Sequence, residues 1–487
     1  MTPSAAATAV MAEQCTGRGR DGVVCAAAPL AALAGAACLR DGGNAFDAVV
    51  AGALAETVLL PPKCGLGGDL VAIVLRSGAD RPEALIAVGG APAGLAAVAS
   101  SGAWRDVGPY SVGPPAAAAG YASLAELGVL GRHRLAAPAI DLARNGFPWA
   151  PVCSRLSDQA AELVAEMNPD GCTYFPNGAS IAPGALTQLP GLADVLDEWV
   201  ARGDRMLDGP VGDAIVDAVQ SRGGVLDRAS LEFAGAEWSP CATRTVAGRP
   251  VWTTPAPTHG PLLLDAIDVG NAETADAGAV YCNVLAAIGR GRDTLADPSG
   301  TSIVSAGDRH GNVVVIVHSN SFPRFGSGIV VAGYDLVLAN RAGRGFSPVP
   351  GHPNFPTTGR RPATTLHAWA VGGPDATGVR LMGGTPGGAN QIVWNAQSLT
   401  RVLAGCDEPG FLVTAPLWEW LPDDDGVRVE GGTPETDVDA LTAVAPRVVG
   451  ASHWGCKSAQ QVVRVPDAGC AWVGAADPRT QGAAIGV

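Results

Sequence analysis

The chain has 487 residues, close to half of them hydrophobic, which is enough to bury a sizeable core and argues against disorder. A net charge of −14 speaks against the basic face that a nucleic-acid partner requires, and its 65 glycines and 38 prolines follow no collagen-like period. Eleven scattered cysteines with no C-x-x-C pair, and seven dispersed histidines, read as buried thiols in a reducing compartment, with neither a metal site nor a disulfide framework.

Residues 1–22 show no basic stretch ahead of an apolar run, and no stretch of about 20 residues is apolar enough to span a membrane. A cytoplasmic location without a membrane partner is the expectation. Residues 23–60 read as two alanine-rich helices. Asp41, Gly42 and Gly43 break them, and Asn44 caps the second with Asp47 in its first turn. CGLGGDLVAIVL (64–75) is a glycine turn feeding an apolar strand. A dinucleotide site needs the reverse order, strand then glycines then helix. Residues 115–235 are mostly helical in pattern, and 240–262 return to strand and turn. Residues 265–300 read as a helical connector and a polar linker. From 301 onward strands dominate, with Gly/Pro-rich loops at 323–328, 343–362 and 383–388. Helices and strands in separate runs point to stacked layers with antiparallel sheets. Lysine is confined to Lys63 and Lys457.

The stretch GTSIVSAGDRHGNVVVIVHSNSFPRFGSG (300–328) is the most informative. A threonine follows Gly300 at the end of a polar segment. A strand, a tight turn at 308–312 and a second valine-rich strand follow, ending in small polar residues and a Gly-Ser-Gly loop. Such an order sets one hydroxyl, that of Thr301, at a strand start facing a glycine-walled pocket.

This region resembles the cleavage and nucleophile region of the γ-glutamyltranspeptidase family. The resemblance covers nearly the whole chain, in the family's order: GGNAFDAVVAGALAETV (42–58), CGLGGDLVAIV, YSVGPPAAAAGYASL, LARNGFPW, TTPAPTHG, TSIVSAGDRHGN, GGTPGGANQIV (383–393) and GAADPR (474–479). The HSN…FGSGIVV…NR…PGHPN…RP pattern is most similar to the family's bacterial acylase-like branch. The resemblance implies an α+β fold, the αββα four-layer sandwich of N-terminal-nucleophile hydrolases. It also implies self-cleavage between Gly300 and Thr301 into fragments 1–300 and 301–487, which stay associated as one structural unit.

By the same resemblance Thr301 is the nucleophile, Ser319 orients it, and the N–H groups of Gly387 and Gly388 hold the oxyanion. Asn320, Arg341, Thr364 and Thr365 match substrate-binding positions. The chemistry needs no metal or organic cofactor. A threonine hydroxyl is a weak nucleophile, and a freed α-amine on the same residue, with a pKa of about 7.7–8.0, serves as its base.

The chain departs from the family where a γ-glutamyl group is held. The arginine expected near 88–92 is absent, as is the acid expected before Phe346, where Arg344 and Gly345 stand. Arg324, Arg341 and Arg344 make the expected neighbourhood cationic, which suits a carboxylate or α-keto acid. The reading is an autoprocessing hydrolase, or acyl transferase, of a small-molecule or γ-glutamyl-type amide. The alternatives are an oxamate-like or acylase amidohydrolase, a C–C-bond-cleaving homologue in actinobacterial secondary metabolism, or an unprocessed pseudoenzyme.

Overall fold

In the computed structural model, which describes residues 5–267, 276–290, 301–374, 378–424 and 426–487, strands with two apolar faces dictate the architecture. Along Thr301–Asp308, Ile303 belongs to a core shared by two sheets, whereas Val304 belongs to a core shared with helices. A strand buried on both faces must lie between layers.

Among the described residues, fourteen strands form the two large sheets. They are β1 (Thr16–Gly19), β2 (Gly22–Ala26), β3 (Asp69–Leu75), β4 (Glu83–Ala87), β5 (Glu237–Pro240), β6 (Ala242–Val246), β7 (Arg249–Thr253), β8 (Thr301–Asp308), β9 (Val313–Ser319), β10 (Trp369–Gly372), β11 (Val379–Gly384), β12 (Gln461–Arg464), β13 (Trp472–Ala476) and β14 (Ala483–Gly486). One sheet runs β14-β2-β8-β9-β3-β4-β5, the other β1-β13-β12-β11-β10-β7-β6. Every pairing in both is antiparallel.

Ile303, Val315, Val317, Val71, Met382, Val463 and Trp472 fill the space between the sheets. Outside the first sheet lie α1 (Pro29–Arg40), α2 (Ala45–Leu59), α3 (Arg132–Asn145), α4 (Pro151–Met167) and α5 (Pro190–Arg202). Outside the second lie α6 (Gly260–Ala266), α7 (Ala277–Arg290) and α8 (Ala389–Leu403). The result is the expected αββα sandwich. Among the described residues, no helix is long and apolar enough to cross a membrane.

All fifteen residues of α2 are buried, so its register has to be fixed by its ends. Asn44 Oδ1 accepts from the Phe46 and Asp47 N–H groups, and Asp47 Oδ2 accepts from the Asn44 N–H at 2.8 Å, a reciprocal capping box. Asp308 Oδ2 accepts from the Ala45 N–H at 2.7 Å, tying the β8–β9 turn to the same helix end.

Two local expectations are corrected. Residues 22–26 form β2 rather than the start of a helix, because Val23 and Cys25 face the other sheet while Val24 and Ala26 face the helices. Short apolar runs do not distinguish the two by composition. Residues 389–403, placed in a strand-dominated region, form the long helix α8, whose Ile392, Val393, Ala396 and Leu399 pack on the second sheet.

Candidate active site

Thr301 is the first residue of β8 and pairs with Ser319, the last residue of β9, which pairs in turn with Asp69, the first residue of β3. Cross-strand partners share a face, so these three polar side chains form a row at one end of the first sheet. The Thr301 and Ser319 hydroxyl oxygens lie 3.0 Å apart, both buried. Ser319 Oγ also accepts from the Ser321 N–H at 2.8 Å, which fixes its position. Ser321 (φ 68°) and Phe325 (φ 62°) take left-handed backbone conformations in the loop that follows. Strained residues gather where a site demands them. Gly300, the other half of the expected cleavage bond, lies outside the described residues.

Gly387 and Gly388 have φ of 148° and 60° and stand immediately before α8. Among the described residues neither donates its N–H to a protein acceptor. Two open amides at a helix start suit an anion, because the helix dipole adds to them. A Cβ on Gly387 would fall 2.2 Å from the Trp394 ring, so glycine is the residue this close approach allows.

Thr301 and Gly387 share the wall of a cavity of about 460 Å³. Among the described residues its lining includes the cations Lys63, Arg155, Arg324, Lys457 and Arg479, one acid, Glu419, and the aromatic residues Trp394, Trp420 and Trp454. Burial pushes the Lys63 ammonium below its usual range. Burial, then the neighbouring Arg155, pushes Arg324 down to about 10. Arg479 is spoken for, with Glu430 at 2.6 Å and Asp477 at 3.1 Å.

The other sequence-predicted residues fall around this cavity rather than on its lining. Arg341 Nε donates to Asp69 Oδ2 at 2.8 Å in a buried ion pair, so it braces the row that begins at Thr301. Asn320 turns its amide into the Gly65–Gly68 loop: Nδ2 donates to the Pro61 carbonyl, while the buried Oδ1 has no partner among the described residues. Thr364 Oγ1 accepts from the Leu366 N–H, and the Thr365 carbonyl accepts from His367 Nδ1. Arg344 lies beside Asp106 and the Phe322 ring. Of the three arginines expected to make the site cationic, Arg324 alone lines the cavity. The two lysines and the three tryptophans were missed. Lysine rarity was visible in the sequence, but nothing local places residues 63 and 457 together.

Behind β9, His318 bridges Glu56 (Nε2 to Oε2, 2.9 Å) and Tyr121 (Nδ1 to the hydroxyl, 2.6 Å), fully buried. Glu56, His318 and Cys64 place potential ligand atoms within 4.8 Å of one another, the one such cluster among the described residues. Glu56 Oε1 already accepts from the Ala27 N–H and both imidazole nitrogens are engaged, so the cluster is a satisfied hydrogen-bond network.

The family model for gamma-glutamyltranspeptidase matches residues 31–285 and 271–487. The chain is 25% identical over 514 residues to the glutathione hydrolase-like YwrD proenzyme of Bacillus subtilis, covering 94% of this chain and 97% of that one. It is 25% identical over 521 residues to the oxamate amidohydrolase proenzyme of Klebsiella pneumoniae, with the same coverage. Cephalosporin acylase from Bacillus halodurans superposes with a TM-score of 0.83 at 26% identity, over 97% of both chains. With two layered antiparallel sheets and a family model spanning most of its length, this chain belongs to the gamma-glutamyltranspeptidase family of hydrolase and transferase enzymes.

Proposed function

We propose that the chain is a proenzyme that cleaves itself between Gly300 and Thr301 and then hydrolyses a small-molecule amide through a Thr301 acyl-enzyme. The observation that carries this is the Thr301 hydroxyl at the start of β8. It is 3.0 Å from the Ser319 hydroxyl and shares a cavity wall with Gly387.

In maturation the Thr301 Oγ attacks the Gly300 carbonyl carbon. The N→O shift breaks the peptide C–N bond and frees the Thr301 amine. Water then hydrolyses the ester and releases fragment 1–300 with a new carboxylate. In turnover that amine takes the Oγ proton as Oγ attacks the substrate carbonyl. The amine returns the proton to the departing nitrogen, and water, activated by the same amine, regenerates Thr301. The open N–H groups of Gly387 and Gly388 receive the oxyanion in both tetrahedral intermediates, a contribution of about 2.7–4 kcal/mol per donor in comparable sites.

An acylase-type or oxamate-type amidohydrolase is favoured within this reading. Among the described residues the cavity lining offers cations and one acid, Glu419, which is already paired with Arg428. The test is activity of the purified protein toward acyl anilides, with release of aniline expected. No release from a fully cleaved protein, with no acyl-enzyme trapped by mass spectrometry, contradicts it.

A further inference from the structure

Helix α8 begins at the glycine pair, and its first turn reaches across to another wall of the cavity. The Asn390 N–H donates to the Gly387 carbonyl at 3.1 Å, and the Gln391 N–H to the Gly388 carbonyl at 3.0 Å. Asn390 thus shares one turn with both open amides. Its side chain is engaged elsewhere: Nδ2 donates to the Trp420 carbonyl at 3.1 Å, and Oδ1 accepts from the Trp420 N–H at 2.8 Å. Gln397 repeats the pattern on Trp418, with Nε2 donating to the carbonyl at 2.8 Å and Oε1 accepting from the N–H at 3.2 Å. Arg401 follows and donates Nη2 to the Pro416 carbonyl at 2.6 Å. Positions 390, 397 and 401 share one helix face.

The strand they grip, Trp418–Leu421, lies at the edge of a small sheet separate from the two large ones, paired with Gly426–Val429 on one side. The free edge of such a strand presents the N–H and C=O groups of alternate residues. The two carboxamides stand in for a missing strand. Each supplies one donor and one acceptor side by side, which is what a single edge residue requires. Gln397 holds Trp418 two helical turns further from the glycine pair. Asn390 and Trp420, in contrast, both line the cavity together with Thr301 and Gly387. Trp420 is half-buried there, and an indole takes planar groups by stacking.

We propose that Asn390 is a positioning residue: it fixes the Trp420 wall relative to the Gly387 and Gly388 amides, so that a planar group of the substrate stacked on Trp420 brings its carbonyl to the oxyanion donors. A misplacement of about 1 Å in such a site can cost on the order of 100-fold in rate. The inference deepens the Thr301 reading and rests on it for which bond is cut, whereas the tether and the affinity it confers need no Thr301 chemistry.

The experiment therefore uses binding rather than turnover. The probe is 2-acetonaphthone, a neutral planar ketone with a carbonyl and no bond open to hydrolysis. It is titrated calorimetrically into the parent, Asn390→Ala, Trp420→Ala and the double variant, each folded by circular dichroism. Each single substitution should weaken binding about fivefold or more, and the double variant should be within about twofold of Trp420→Ala, because Asn390 acts through the ring. In hydrogen exchange read by mass spectrometry, the amide of residue 420 should exchange about tenfold faster in Asn390→Ala and within about threefold of the parent rate in Trp420→Ala, whose backbone keeps the tether. Asn390→Asp fills the same volume, loses the donor to the Trp420 carbonyl, and carries the same binding cycle if the alanine variant does not fold. Losses that multiply in the double variant, a residue-420 amide that exchanges no faster in Asn390→Ala, or a parent that does not bind the ketone overturns the proposal. A parent that shows the full pattern but neither cleaves itself nor hydrolyses any anilide overturns the Thr301 reading alone, and a self-cleaving parent without the pattern overturns the tether alone.

Discussion

In the proposed reaction Thr301 depends on two neighbours with different jobs. The Ser319 hydroxyl lies 3.0 Å from that of Thr301, and Gly387, on the wall of the same cavity, has an N–H with no protein acceptor among the described residues. Ser319→Ala keeps the strand pairing but removes the hydroxyl's hydrogen bonds with Thr301 and the Ser321 N–H; loss of the Thr301 contact, about 1 kcal/mol, should lower kcat roughly tenfold with KM little changed. A KM effect with intact kcat would assign Ser319 to substrate binding instead. Gly387→Ala should be far harsher. The new methyl would meet the Trp394 ring at 2.2 Å on a backbone of φ 148°. A loss of at least about 100-fold in kcat is expected, as for removal of an oxyanion donor. Unchanged kcat would exclude Gly387 from that role. The identity of Thr301, Ser319 and the glycine pair was legible in the sequence because each sits in a motif with its own local order. The Lys63, Arg155 and Trp420 side chains were not, since each lies alone in its segment and only the fold brings them to one cavity.

At the scale of elements, what holds the site is the way α8 and β3 are pinned. His367 Nε2 accepts from Asn395 Nδ2 at 2.8 Å, and Trp369 Nε1 donates to Asn395 Oδ1 at 3.0 Å, so two side chains before and within β10 set the register of α8. Burial pulls His367 down to about 4 from an ordinary value near 6.5. The imidazole is therefore neutral in the folded state while the unfolded chain takes up a proton. The sign follows: stability is full above about pH 6.5 and declines as pH falls toward 4, by on the order of 3 kcal/mol. Urea unfolding across that window should show a shallower decline for His367→Gln than for the parent; identical slopes would contradict this. On β3, Asp69 is pushed up by burial and drawn back by Arg341. Arg341→Met would leave that carboxylate buried alone and should cost about 3–5 kcal/mol in the same measurement. An unchanged stability with a raised KM would return Arg341 to the substrate-binding role that its motif suggests. Helix α2 was readable because Asn44 and Asp47 form a capping signature in sequence. Helix α8 was not recognised, because its start at two glycines looks like a loop, and β2 was misread, because five apolar residues carry no period long enough to separate strand from helix.

Across the whole molecule, the proposed division at residue 300 would cut through one sheet. β8 would belong to the second fragment, yet it is paired on one side with β2 from the first and on the other with β9, and β14 returns to pair with β2. Residues of both fragments fill the core between the sheets. Separation would expose that core, so fragments 1–300 and 301–487 should co-elute in native gel filtration, unfold in one transition, and part only in denaturant. Elution as two species in native buffer would contradict a shared core. The four-layer architecture was legible from segregated helix and strand patterns together with the ordered motifs. The pairing of β2 with β8, some 280 residues apart, depends on register between strands that no local pattern records.

The most direct measurement is the denatured mass of the purified protein beside its Thr301→Ala variant. The expected result is two fragments parting between Gly300 and Thr301 in the parent and one full-length chain in the variant. A parent that stays a single chain after long incubation, or a variant that is cut at the same bond, would contradict Thr301 as the nucleophile.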